Sequence, residues 1–88
     1  METRTVTIVN SLGLHARAAA KFVHHAGQFK SHIKVTRGQR TVDGKSILGL
    51  ATLGAPCGTV LVVSAKGTDE VETVQTLVRL VDEGFGEL

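Results

Sequence analysis

Aromatic side chains are nearly missing from this sequence, which has no Trp, no Tyr and three Phe. Base stacking would have only Phe22, Phe29 and Phe85 to draw on, and a nucleic-acid partner is not expected. A lone cysteine, Cys57, excludes an internal disulfide, and the opening Met1-Glu2-Thr3-Arg4 lacks the apolar stretch of a signal peptide. A reducing cytoplasm is the expected location. The longest apolar run, Val60 to Val63, falls far short of the roughly 20 residues that span a bilayer, so no membrane segment is expected. Pro56 is the only proline, and no repeat or low-complexity tract marks a linker. One domain over residues 1–88 is expected. A chain of this length buries only about 60 to 65% of its unfolded surface, which leaves no room for a large internal substrate cavity.

What is present is charge, unevenly placed. Residues 11 to 50 carry seven basic side chains (Arg17, Lys21, Lys30, Lys34, Arg37, Arg40 and Lys45) against Asp43 alone, a net +6. From Gly67 onward six acids face one base, Arg79, a net −5. All four histidines lie in the basic half, which is the half suited to acidic proteins or phosphate.

The apolar pattern has two periods. Thr5 to Ile8 and Ile33 to Thr36 alternate with the period of half-buried strands, and Arg37-Gly38-Gln39-Arg40 separates the second from Thr41-Val42-Asp43 as a hairpin turn would. Thr59 to Ala65 is β-branched and apolar on both sides, as an interior strand should be. Helical spacing governs Ala16 to Gly27, with Ala19, Phe22, Val23 and Ala26 on one stripe. It also governs Thr68 to Glu83, with Val71, Val74, Leu77, Val78 and Val81 on the stripe, Asp69 and Glu72 as its capping pair and Gly84 as its stop. A short helix, Ser46 to Leu53, opens on a capping serine and ends at Gly54. The order strand, helix, strand, strand, helix, strand, helix predicts an α+β two-layer sandwich.

The chemistry concentrates in Ser11-Leu12-Gly13-Leu14-His15-Ala16-Arg17-Ala18-Ala19-Ala20. His15 stands at a helix start, where unpaired backbone N–H groups of residues such as Ala16 and Arg17 and a partial positive charge suit a phosphate. Arg17 adds a permanent cation, and Gly13 gives the turn freedom to aim the imidazole outward. The dipole disfavours imidazolium by about 0.3 to 1 kcal/mol, which favours the neutral, nucleophilic ring. Such a ring can accept a phosphoryl group and surrender it, and transfer then needs alignment and charge stabilisation. No cofactor, metal or general base need be built into the chain. On position alone, His15 also fits a surface or capping residue, and Arg17 a solvated side chain.

Gly13-Leu14-His15-Ala16-Arg17 followed by small residues resembles the active-site signature of the histidine-containing phosphocarrier (HPr) family of the bacterial phosphotransferase system. Gly44-Lys45-Ser46-Ile47-Leu48-Gly49-Leu50 is similar to that family's regulatory-serine helix, and length and element order match along nearly the whole chain. The resemblance implies an open-faced sandwich, four antiparallel strands covered on one face by three helices (βαββαβα). It further implies a monomeric phosphocarrier, not a turnover enzyme. His15 would be phosphorylated on Nδ1 by phospho-enzyme I, which draws on phosphoenolpyruvate, and would pass the group to an enzyme IIA in sugar uptake or a nitrogen-related branch. Arg17 would assist, partners would dock around Ala20, Ile47 and Leu48, and a serine kinase/phosphorylase would be a further partner through Ser46. Ala18 stands where many members have proline, a change the first turn tolerates. His24 and Gly27 stand where basic residues are frequent, which bears on partner preference. A regulatory paralogue lacks the phosphorylatable histidine that this chain has.

The competing reading is a regulatory docking module switched at Ser46. His24 and His25, adjacent on a helix, diverge by about 100° and make a poor metal pair. Cys57 reads as a small turn residue and Phe22 with Val23 as core.

Overall fold

Alternation along the strands fixes which side of the sheet is dry. In β4 (Val60–Lys66), Leu61, Val63 and Ala65 are buried while their neighbours are half-buried or exposed, and Ile33 and Val35 do the same in β2 (His32–Arg37). The computed structural model describes residues 1–87 and completes a four-stranded sheet with β1 (Glu2–Thr7) and β3 (Arg40–Asp43), in the order β1-β4-β2-β3, every pair antiparallel. Val6 lies opposite Leu61, Ile33 opposite Ala65, and Val35 between Val63 and Val42, so the registers line up one apolar face.

Helices α1 (Ala16–Ala26), α2 (Ile47–Thr52) and α3 (Glu70–Asp82) cover that face, giving the βαββαβα order. Ala18, Ala19, Phe22 and Ala26 from α1, Leu50 from α2, and Val74, Leu77 and Val81 from α3 join the strand residues in one core. Among the described residues no helix is long and apolar enough to cross a membrane. Gly38 holds φ +61 in the β2–β3 turn, as the hairpin requires.

Three local expectations are corrected. First, β4 is interior, flanked by β1 and β2, yet buried on one face only: Val60 is 54% exposed. An interior position satisfies the backbone of a strand but does not cover its second face. Second, Val71 lies outside the buried stripe at 51% exposure, because the stripe of α3 turns towards Thr73. The Thr73 hydroxyl can be buried because it donates to the Asp69 carbonyl oxygen at 2.7 Å. Third, α3 starts at Glu70, and Asp69 occupies its cap position without a side-chain capping bond. The Asp69 carboxylate accepts instead from the backbone of Lys30 (2.8 Å) and Ser31 (3.0 Å) and from the Ser31 hydroxyl, pinning the entry to β2. Near this helix start it is Glu70, not Glu72, that takes a backbone N–H, that of Gly67 at 3.2 Å.

Candidate functional site

The loop between β1 and α1 is held against the segment before β4. Leu14 N–H donates to the Ala55 carbonyl (2.8 Å) and Gly58 N–H to that of Ile8 (2.7 Å). Gly13, at φ +70, lies so close to this segment that a Cβ would sit 2.5 Å from the Ala55 oxygen and 2.8 Å from Pro56 Cα. Glycine is needed here twice over, for the positive φ of the turn and for the close approach to Ala55 and Pro56. Asn10, 1% exposed, closes the loop by donating from Nδ2 to the Gly13 carbonyl at 2.7 Å.

This loop delivers His15 as the N-cap of α1 in extended conformation (φ −75, ψ 177). Its carbonyl accepts the first helical bond, from Ala19 N–H at 2.8 Å, and its Nδ1 accepts from Arg17 N–H at 3.2 Å. No acid lies in the first turn, where Ala16 and Arg17 are exposed. The partial positive end of the helix therefore faces solvent beside the ring.

The other side of the ring holds a residue that sequence reasoning missed. Glu87 Oε2 lies 2.7 Å from His15 Nε2 and 3.8 Å from Arg17 Nε, and Oε1 accepts from Asn10 Nδ2 at 3.0 Å. Burial works against charge on this carboxyl, but the hydrogen bonds from Asn10 and His15 and the nearby Arg17 guanidinium outweigh it and hold Glu87 below the usual carboxylate range. An ionised carboxylate can only accept, so Nε2 carries the ring proton and Nδ1 the lone pair. The sole local hint in the sequence is Gly84-Phe85-Gly86, which bends the chain back after α3.

Of the other expected site residues, Ala20 is half-buried on α1, while Ile47 and Leu48 are 47% and 75% exposed on α2. Leu12, 64% exposed, adds to this surface, and a shallow depression beside His15 is lined by Leu12, Ala51 and Pro56 among others. Ser46 is the N-cap of α2, with Oγ accepting from Gly49 N–H at 3.0 Å. Cys57 is exposed, with its thiol near the Val9 carbonyl. The His24 and His25 rings meet edge to face at 5.7 Å, and among the described residues no three His, Cys, Asp or Glu side chains are grouped to hold a metal ion.

Residues 2–83 match the family model described as the PTS HPr component phosphorylation site. The chain belongs to the HPr family. It is therefore a phosphocarrier of the phosphotransferase system and not a turnover enzyme. HPr of Neisseria meningitidis serogroup A is 46% identical over 87 residues, covering 99% of this chain and 98% of that protein. HPr of Pseudomonas aeruginosa is 44% identical over 88 residues, at 99% and 98% coverage. Among solved structures, HPr-C-His from Thermoanaerobacter tengcongensis superposes with a TM-score of 0.96 at 44% identity, covering 100% of this chain and 99% of that one. HPr membership implies enzyme I and an enzyme IIA as partners.

Proposed function

We propose that His15 is the phosphoacceptor and that Nδ1 is the atom that takes the group. The carrying observation is the ring's orientation: Nε2 is engaged by Glu87, and Nδ1 turns to the exposed start of α1. In transfer from phospho-enzyme I, the Nδ1 lone pair forms the bond to phosphorus while the bond to the donor breaks and its electron pair leaves with the donor. Nδ1 carries no proton, so no general base is needed. The Arg17 N–H that rests on Nδ1 at 3.2 Å can turn to a phosphoryl oxygen, joined by the Ala16 amide and the Arg17 guanidinium. Enzyme I and enzyme IIA dock in turn on Ala20, Ile47 and Leu48, where exposed apolar side chains adjoin the basic start of α1. The acceptor enzyme IIA serves either sugar uptake or a nitrogen-related branch, and transfer assays with one protein of each type separate the two.

Incubation with enzyme I and labelled phosphoenolpyruvate tests the reading. One acid-labile, base-stable phosphoryl group should appear, and none on His15→Ala. An acid-stable adduct, or label persisting in His15→Ala, would contradict it.

The exposure of Ile47 and Leu48 next to Ser46 favours a second role, regulation of docking by phosphate on Ser46. A phosphate there would bring about 1.5 to 2 negative charges to the docking surface and repel a partner with acidic residues.

A further inference from the structure

We propose that Glu87 is a positioning residue for phosphoryl transfer, whose carboxylate keeps the Nε2 proton on His15 and offsets the positive charge that the ring acquires once Nδ1 is bonded to phosphorus. The proposal rests on His15 being the phosphoacceptor.

The contact is built, not incidental. After α3 the chain reverses through Gly84–Gly86, where Phe85 takes the left-handed conformation (φ +57) that disfavours a side chain. Phe85 is held there by burial of its ring, 1% exposed, and by Lys21 Nζ donating to its carbonyl at 2.7 Å. The next turn of chain carries Glu87 over the start of α1. Asn10 then orients the carboxylate: its two amide hydrogens go to Gly13 O and Glu87 Oε1, and the flipped amide would set Oδ1 against two acceptors. Oδ1 has no partner among the described residues, so the arrangement is retained despite leaving that buried atom unsatisfied. The titratable and charged groups facing the Glu87 carboxylate are His15 and Arg17, both from the start of α1. Lys21 approaches the backbone of the hook, and the preceding loop contributes the neutral Asn10.

The chemistry follows from proton and charge accounting. Attack by Nδ1 on phosphorus leaves the Nε2–H in place, so the ring becomes formally cationic beside an anionic phosphoryl group. A carboxylate 2.7 Å from Nε2 favours that cation over loss of the proton. The same proton governs the return step. With Nε2–H present, cleavage of the Nδ1–P bond releases a neutral imidazole, whereas without it the leaving group would be an imidazolate. Glu87 thus keeps the carrier ready to donate at pH values where an unassisted phosphohistidine ring would have lost the proton. Arg17, 3.8 Å from the same carboxylate and 69% exposed, is free to move to the phosphoryl oxygens without leaving the ring uncompensated.

The test compares wild type with Glu87→Gln, which keeps an acceptor for Nε2–H but no charge, and Glu87→Ala, which keeps neither. Thermal unfolding of each provides the control for folding. The readout is the pH profile of phosphohistidine hydrolysis and of transfer to an enzyme IIA. The acid-side limb of fast cleavage should shift by about one unit to lower pH in Glu87→Gln, with transfer at mildly alkaline pH slowed by roughly 3- to 10-fold and transfer at mildly acidic pH unchanged. Glu87→Ala should show at least the same shift. Superimposable profiles, or equal slowing of both variants at every pH, would overturn the proposal and leave His15 as acceptor. Absence of phosphohistidine in the wild-type protein would overturn the reading of His15 and this proposal with it.

Discussion

Two helices of this protein begin in opposite electrostatic circumstances. At α3, Glu70 and Glu72 occupy the first turn, and the cap residue Asp69 ties its carboxylate to neighbouring donors. The Ser31 hydroxyl, followed by the Lys30 and Ser31 amides and the Thr73 hydroxyl, outweighs the effect of burial and lowers Asp69 from 3.8 to about 2. At α1 the first turn has no acid, the cap is an imidazole, and the Glu87 carboxylate meets the far nitrogen of that ring at 2.7 Å. Both starts present N–H groups that the helix itself does not pair, and the same partial charge. A helix start whose field is already balanced serves stability; one left unbalanced is available to an incoming anion.

The comparison breaks if α1 tolerates an acid where α3 has one. Ala16→Glu should leave the helix intact or stabilise it by about 0.3 to 1 kcal/mol, yet repel the phosphoryl group by about 2 kcal/mol in a partly solvated site, slowing acceptance roughly 30-fold. Stopped-flow or rapid-quench transfer from phospho-enzyme I checks it. Arg17→Ala should slow acceptance about 10-fold, the low end for a charge-assisted contact because the side chain is 69% exposed, with no loss of thermal stability. Arg17→Lys should restore transfer only in part, since ammonium lacks the forked donors.

At the other helix the expected effect is on stability alone. Asp69 has a depressed folded value, so its contribution is fully present above the ordinary 3.8 and is lost as pH falls towards about 2. The unfolded state binds the proton first in that window, and stability should decline there. Asp69→Asn should lower the urea midpoint at neutral pH, flatten this acid decline and leave phosphoryl acceptance at the wild-type rate. At the start of α2, Ser46→Ala should cost about 1 kcal/mol as a lost cap and accept phosphate nearly as wild type. Ser46→Asp should fold normally and accept it more slowly, and a wild-type rate there would reduce Ser46 to a plain cap.

Much of this was legible in the sequence because the features concerned are local. Strand alternation, the stripe of α1, the Ser46 cap and the placement of His15 at a helix start all depend on residues within a few positions of one another. What was not legible depends on contacts across the chain. Glu87 reaches His15 over 72 residues, and no spacing rule couples them. Asp69 reads as the cap of its own helix until the entry to β2 supplies stronger donors. Val71 fits the α3 period, but the buried face runs through Thr73, Val74, Leu77 and Val81, and a threonine with its hydroxyl satisfied does not read as core from its type. The open face of β4 was likewise hidden, because Val60 and Val62 are apolar whether or not a layer covers them.

The central claim is that His15 takes phosphate on Nδ1, from a ring whose Nε2 is protonated and held by Glu87. Long-range proton–nitrogen NMR of the uniformly ¹⁵N-labelled protein, recorded before and after phosphorylation by enzyme I and phosphoenolpyruvate, reads both nitrogens directly. The expected result is an Nε2–H ring beforehand and phosphorus on Nδ1 afterwards. Phosphorus on Nε2, or on a residue other than His15, would contradict the account.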